Sequence, residues 1–122
     1  MKILVVEDDE AQLLWLRESL SEAGHEVRGA HNGDWALKMW RGFRPFDVVI
    51  TDYCYPGKSI PNGLVLIERI RTIHPGQPFI MQTGAEKVDL ARGIPLLRKP
   101  YPIGRLLRLL ASAKQQRLPL LD

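Results

Sequence analysis

Residues 2–9 read KILVVEDD, a continuous apolar run that ends in three carboxylates. Residues 47–52 read DVVITD and place another apolar run directly before an aspartate. Short apolar runs that do not alternate with polar residues are typical of strands buried on both faces of a parallel sheet. The sequence therefore predicts two buried strands with acidic residues at their carboxyl ends.

Helices and further strands are predicted between and after these two runs. Strand-like runs are residues 2–6, 26–30, 47–51, 79–82 and 94–98, and helical spacing of apolar residues covers residues 10–23, 33–41, 63–74 and 103–115. Few residues, 84–94, separate the last two strands, so the fourth of five helices should be shortened to about two turns around residues 88–92. Strands that alternate with helices in this way indicate an α/β fold with helices on both faces of a parallel sheet.

The length of 122 residues is that of one domain, which we expect to span residues 1–117, followed by a short tail at 118–122. No apolar run approaches the ~18 residues that cross a bilayer, so no membrane association is expected. Cys54 is the single cysteine, which excludes an intramolecular disulfide and a multi-cysteine zinc site. These features indicate a cytoplasmic location.

Charge is distributed unevenly along the chain. Residues 1–34 contain eight acidic and three basic residues, whereas residues 92–122 contain seven basic residues and one acidic residue. The basic residues are not interleaved with aromatic ones, as they are on surfaces that bind single-stranded nucleic acids. Nucleic-acid binding is therefore not expected.

Polar residues at the strand ends should meet at one rim of the sheet, where ligands of open parallel sheets bind. Glu7 and Asp8 follow the first strand, and Asp52, Thr83 and Lys99 follow the third, fourth and fifth. Clustered carboxylates repel one another unless a cation lies between them, and oxygen ligands suit Mg²⁺. Helix capping is the alternative interpretation of the acidic residues after the first strand.

The same residues suit phosphoryl transfer. A carboxylate can be the nucleophile in such a reaction, and we expect Asp52 to accept the phosphoryl group. Asp8, Asp52 and a loop carbonyl such as that of Cys54 would then bind the metal, with Glu7 acting directly or through water. Lys99 and Thr83 supply a positive charge and a hydroxyl to the phosphoryl oxygens.

The motifs occur in an order that resembles the receiver domain of bacterial two-component response regulators. They are residues 5–9 (VVEDD), 47–52 (DVVITD) with 56–57 (PG) and 62–63 (NG), 83–84 (TG) and 99–101 (KPY). The resemblance extends along essentially the whole chain. It implies a flavodoxin-like, doubly wound five-stranded parallel sheet of order 2-1-3-4-5.

The resemblance also implies a function. A sensor histidine kinase or histidine phosphotransfer protein would phosphorylate Asp52 in a Mg²⁺-dependent reaction, with Glu7 and Asp8 in the metal pocket. Thr83 would be the switch hydroxyl, Lys99 would contact the phosphoryl oxygens, and the Lys99–Pro100 peptide bond would be cis. Such a domain signals through protein–protein interaction and catalyses only its own phosphorylation and dephosphorylation.

The sequence departs from the family pattern in three places. The loop from Pro56 to Gly63 is about three residues longer than usual, the fourth helix is shortened, and Leu96 stands where many members have a switch aromatic. The alternative function is therefore a phosphorylation-independent pseudo-receiver that acts as a constitutive interaction domain. The last helix has a wide apolar face, through which a homodimer could form.

Overall fold

The structure, a computed structural model, describes residues 1–55, 57, 59–85 and 93–117, and side chains of the last helix up to residue 113. Within these residues five strands and four helices alternate along most of the chain. They are β1 (Lys2–Val6), α1 (Glu10–Glu22), β2 (Glu26–Ala30), α2 (Gly33–Phe43), β3 (Val48–Asp52), α3 (Gly63–Ile73), β4 (Phe79–Thr83), β5 (Leu96–Arg98) and α4 (Ile103–Arg117). The expected short helix at residues 88–92 and the expected tail at 118–122 lie outside the described residues.

All five strands pair in parallel, in the order β2-β1-β3-β4-β5. The predicted flavodoxin-like order is therefore confirmed. The register aligns Asp52 at the end of β3 with Gln82 in β4, and Thr83 with Arg98 in β5. Because the strands run in one direction, their carboxyl ends lie along one rim of the sheet.

Each face of the sheet has its own apolar core. On one face, α2 and α3 contribute Trp40, Leu66 and Ile70 to a cluster with strand residues. On the other face, α1 and α4 contribute Leu16 and Leu106 to a second cluster. Burial on both faces explains why β1, β3 and β4 are apolar without alternation.

The element boundaries differ from the sequence prediction by one or two residues. Helix α2 continues to Phe43, beyond the expected end at residue 41, because Gly42 weakens a helix without ending it. Strands β3 and β4 each include the polar residue expected to follow them, Asp52 and Thr83. Strand β5 has three residues, not the expected five.

Side-chain caps fix the helix starts near the rim. Asp9, Asn32 and Asn62 cap α1, α2 and α3 and accept hydrogen bonds from the backbone of Gln12, Trp35 and Val65. Such caps satisfy amide groups that have no partner within the helix. They fix the point where the chain leaves the rim for the helical layer.

The loop between β3 and α3 packs against the start of α2. Ile60 is 1% exposed and belongs to the same core cluster as Tyr55. A Cβ atom on Gly33 would lie 2.3 Å from Ile60 Cγ2, so the two residues are in the closest contact that a glycine permits. The Ser59 amide adds a hydrogen bond to Asp34 Oδ1 at 3.3 Å. Pro56 and Lys58 of this longer loop are outside the described residues.

In the part of the chain that the structure describes, no helix has the length and apolar character needed to cross a membrane.

Candidate functional site

Three carboxylates meet at the rim of the sheet. Glu7 follows β1, Asp8 is next to it, and Asp52 ends β3. One oxygen from each lies within 4.8 Å of the other two. We call these residues the acidic pocket. Glu7 is 1% exposed and Asp52 7% exposed, whereas Asp8 lies at the surface.

Lys99 joins two members of the acidic pocket. Its Nζ lies 2.5 Å from Glu7 Oε1 and 3.0 Å from Asp52 Oδ2. Burial alone would lower the pKa of Lys99, but the hydrogen bonds and charges of Glu7 and Asp52 outweigh it and raise the pKa above 10.5. The ammonium group is therefore charged at neutral pH. The Lys99–Pro100 peptide bond that follows is cis, as the family resemblance implies.

Asp8 is the member of the pocket without a described ion pair. Its pKa is raised above 3.8, first by partial burial and then by the hydrogen bond and negative charge of Glu7; Lys99 acts in the opposite direction. A raised carboxyl pKa means that the folded protein disfavours the charged form. A divalent cation would remove this repulsion.

One backbone amide and one side-chain ammonium group hold the Asp52 carboxylate. Its Oδ1 accepts a hydrogen bond from the Tyr53 amide at 2.9 Å, while Oδ2 faces Lys99. The start of α3 lies so close that a Cβ on Gly63 would be 2.4 Å from the Asp52 carbonyl oxygen. The residue at this position must be a glycine for α3 to begin directly behind the acidic pocket.

Glu7 has two further hydrogen-bond donors besides Lys99. The Asp9 amide donates to Oε2 at 3.1 Å, and Gln82 Nε2 donates to Oε1 at 3.3 Å. Gln82 in turn accepts a hydrogen bond from the Tyr101 hydroxyl through its Oε1. Burial and the charges of Glu7 and Asp52 raise the pKa of the Tyr101 phenol above 10.0, so the hydroxyl keeps its proton.

Gln82 was not among the site residues that the sequence predicted. The signal for it is the amide side chain inside the apolar strand β4, FIMQT. A buried amide needs hydrogen-bond partners, because leaving it unpaired is costly. Sequence alone does not identify those partners.

Thr83 and Cys54 are the two remaining residues of the predicted site. Thr83 is buried at the rim, its Oγ1 accepts a hydrogen bond from the Ala85 amide at 3.0 Å, and its carbonyl accepts one from the Lys99 amide at 2.8 Å. Cys54 is exposed and forms an isolated antiparallel bridge with Asn62. The roles of the Thr83 hydroxyl and the Cys54 carbonyl stay predictions.

The donor set suits Mg²⁺. Three carboxylates supply only oxygen ligands, and Mg²⁺ is bound in proteins by one or two carboxylates together with water and phosphate oxygens. A histidine or thiol ligand, which zinc favours, is absent from the three-residue cluster. The acidic pocket and Lys99 together could therefore hold a divalent cation beside an anion.

Comparison with known proteins identifies one family. The family model of the response regulator receiver domain matches residues 3–95. The virulence sensor protein BvgS of Bordetella pertussis is 44% identical over 71 residues, which are 58% of this chain and 5% of BvgS. The chain thus spans a small part of the length of that relative.

Solved structures agree. A response regulator receiver domain protein from Clostridium thermocellum superposes with a TM-score of 0.87 at 28% identity, covering 98% of each chain. The response regulator TrrA of Thermotoga maritima, solved in complex with Mg²⁺ and BeF, gives a TM-score of 0.80 at 29% identity and covers 92% of this chain and 97% of TrrA.

Proposed function

The chain belongs to the response regulator receiver domain family, and from this membership we propose that Asp52 accepts a phosphoryl group in a Mg²⁺-dependent reaction. The donor would be a sensor histidine kinase or a histidine phosphotransfer protein. The observation that supports this most directly is the position of Lys99, which lies 3.0 Å from Asp52 and 2.5 Å from Glu7 within one acidic pocket.

The residues at the rim have three different tasks in this proposal. Glu7, Asp8 and Asp52, with the Cys54 carbonyl, would hold Mg²⁺, which when bound neutralises charge on the phosphoryl oxygens. Lys99 would contact a phosphoryl oxygen with its ammonium group. The Thr83 hydroxyl would donate to another oxygen after turning from its hydrogen bond with the Ala85 amide.

The reaction is a substitution at phosphorus. An oxygen of Asp52 forms a bond to phosphorus while the bond between phosphorus and the donor nitrogen breaks, and the electron pair leaves with that nitrogen. The charge on Lys99 favours the approach of the anionic donor to a carboxylate that would otherwise repel it. The chain catalyses only this transfer and the hydrolysis of the resulting acyl phosphate, in which water bonds to phosphorus and the Asp52 carboxylate leaves.

Phosphorylation would change which proteins the domain binds. A new negative group at the rim alters the hydrogen bonds of Lys99 and Thr83, and a two-state surface can follow such a local change. Leu96 is partly buried on β5 and cannot act as a switch aromatic. The longer loop between β3 and α3 lies beside Asp52 and would restrict which donors reach it.

The expected phosphoryl donor indicates the cellular location of the domain. Sensor kinases and phosphotransfer proteins that act on receiver domains would meet this one in the cytoplasm, where a single free thiol such as Cys54 stays reduced. BvgS, a sensor protein by name, is similar to this chain over 71 residues. We further propose that the domain spans residues 1–117.

The proposal is tested with acetyl phosphate or beryllofluoride and Mg²⁺. Mass spectrometry after acetyl phosphate treatment should show one phosphoryl group on the wild-type chain and none on Asp52→Asn. Asp47→Asn is the matched control, because Asp47 lies just before the amino-terminal end of β3, whereas Asp52 lies at its carboxyl end. Asp47 accepts a hydrogen bond from the Lys2 amide. This control should be modified like the wild type.

Two results would contradict the proposal. Modification of Asp52→Asn to the wild-type extent would place the acceptor elsewhere. A wild-type chain that is not modified and gives no saturable response to Mg²⁺ would support the pseudo-receiver instead.

A further inference from the structure

A chain of hydrogen bonds leads from the acidic pocket to a surface cavity. It passes from Glu7 through Gln82 to Tyr101, whose ring lies 5.9 Å from the ring of Trp15. Gln82 is 0% exposed and Tyr101 is buried, whereas Trp15 is 40% exposed. A cavity of about 360 Å³ lies over this end of the chain and is lined by Gln12, Trp15, Leu16, Gln82, Lys99, Pro100 and Tyr101.

The direction of these hydrogen bonds is fixed by Glu7. An ionised carboxylate only accepts hydrogen bonds, so the Gln82 group that faces Glu7 must be the Nε2 amide. The Oε1 atom of Gln82 then faces Tyr101, and the phenol must donate to it. Each group in the chain therefore determines the orientation of the next.

This arrangement does more than satisfy a buried amide. Glu7 Oε1 accepts from both Lys99 and Gln82, and Oε2 accepts from the Asp9 amide. With three donors on two oxygens, the Glu7 carboxylate has one preferred orientation. If Gln82 could rotate, its carbonyl would face the carboxylate and repel it.

We propose that Gln82 and Tyr101 are a positioning pair, in which Tyr101 acts through Gln82 to orient the Glu7 carboxylate for Mg²⁺ binding. The inference rests on the proposed function only in that Mg²⁺ is the ligand of the acidic pocket. Hydrogen-bond partners of metal ligands typically change metal affinity 10–100-fold when they are removed. The pair thus extends the site to two residues that do not touch the ligand.

The test is the Mg²⁺ affinity of the full chain, measured by calorimetry in metal-free buffer. Gln82→Leu and Tyr101→Phe should each weaken Mg²⁺ binding about 10-fold. Tyr55→Phe is the matched control, because it removes another buried phenol hydroxyl, one that lies 3.4 Å from Thr51 Oγ1 and has no described contact with Glu7. The control should bind Mg²⁺ like the wild type.

A double variant separates positioning from packing. If Tyr101 acts through Gln82, the variant with both substitutions should bind Mg²⁺ no more weakly than Gln82→Leu alone. The fluorescence of Trp15, identified by comparison with Trp15→Phe, should respond to Mg²⁺ in the wild type and lose this response in Tyr101→Phe. If Gln82→Leu does not fold, the comparison of Tyr101→Phe with Tyr55→Phe decides the matter.

Several results would overturn the inference. These are wild-type Mg²⁺ affinity in Tyr101→Phe, an equal loss of affinity in Tyr55→Phe, or full additivity in the double variant. Wild-type affinity in Tyr101→Phe together with normal phosphorylation of Asp52 would remove the positioning pair alone. Weakened Mg²⁺ binding in Tyr101→Phe, together with no phosphorylation of Asp52 in the wild-type chain, would leave the pair and remove the proposed function.

Discussion

Asp8 illustrates how one side chain can oppose folding and still suit a cation site. Its pKa lies above the ordinary value, chiefly through burial and then through Glu7. A carboxyl group with a raised pKa in the folded state stabilises the fold when protonated, and this contribution is lost as the pH rises through that pKa. At neutral pH the ionised Asp8 therefore lowers the free energy of unfolding.

We expect Asp8→Asn to raise the melting temperature of the Mg²⁺-free protein at pH 7, because it removes the disfavoured charge. The gain should shrink as the pH falls through the pKa of Asp8, since protonation removes the same charge in the wild type. Addition of Mg²⁺ should raise the melting temperature of the wild type and leave the variant nearly unchanged. Thermal unfolding with a chelator and with excess Mg²⁺ measures all three effects.

Asp9→Asn is the control for this prediction. Asp9 is the exposed neighbour that caps α1, and asparagine caps a helix as well as aspartate does. The control should keep both the wild-type melting temperature and its rise with Mg²⁺. An equal gain in Asp9→Asn would show that general charge reduction, and not the acidic pocket, sets the stability.

At the residue scale, the sequence identified the rim residues because parallel strands bring their ends together. Glu7, Asp8, Asp52 and Lys99 could be selected from position alone, and the structure does bring them together. Gln82 could not be selected in this way, because its role depends on a contact with Glu7 across 75 positions of the chain. Such a contact follows from the packing of β4 beside the rim and leaves no local pattern.

The loop between β3 and α3 is longer than the family pattern, and it packs against α2. Ile60 fills the space that a side chain on Gly33 would otherwise occupy. We expect Gly33→Ala to lower the free energy of unfolding by about 1–3 kcal/mol, the usual effect of overpacking. Urea denaturation measures this change.

Gly42→Ala in the same helix is the matched control. A Cβ on Gly42 meets no atom within 4 Å, so alanine should stabilise α2 by about 0.5–1 kcal/mol through its helix propensity. The destabilisation by Gly33→Ala should also become smaller in the background of Ile60→Ala, because that change removes the Cγ2 atom at 2.3 Å and keeps the Cβ atom at 2.8 Å. Stabilisation by both alanines would contradict the contact between loop and helix.

At the element scale, the strands and helices were predictable from apolar periodicity, and the boundaries were less so. The contact of Ile60 with Gly33 was not predictable, because residues 56–63 read as a loop with no periodic signal. Turn residues such as Gly57 indicate where a loop bends but not what it packs against. The anchoring of this loop is a tertiary effect.

Self-association is a question for the molecule as a whole. On α4, Leu106 and Leu110 are buried in the core, while Ile103, Leu107 and Leu109 are packed against it and partly buried. Much of the apolar width of this helix is therefore used within the chain. A homodimer through α4 would have to cover the remaining surface of these three residues.

If this homodimer forms, the sedimentation coefficient should rise as the protein concentration increases. Leu109→Gln should reduce that rise, because Leu109 contributes to the surface that the dimer would cover. Leu14→Gln is the control, since Leu14 is 56% exposed and belongs to α1 and not to α4. A constant monomer value with and without beryllofluoride and Mg²⁺ would exclude the dimer.

For the whole molecule, the parallel direction of the strands followed from the alternation of buried runs with helical segments, and the resemblance to receiver domains implied the sheet order. The division of the core into two clusters, one on each face, follows from the same pattern. What the pattern leaves open is how helices share their apolar residues between core and surface, as α4 shows. That balance depends on the space beneath each helix.

Lys99 gives the pocket its own counter-ion. Because the ammonium group lies between Glu7 and Asp52, its single positive charge partly offsets two buried negative charges before any ligand arrives. An incoming cation must compete with this resident charge. We therefore expect the acidic pocket to hold a divalent cation loosely and to exchange it readily.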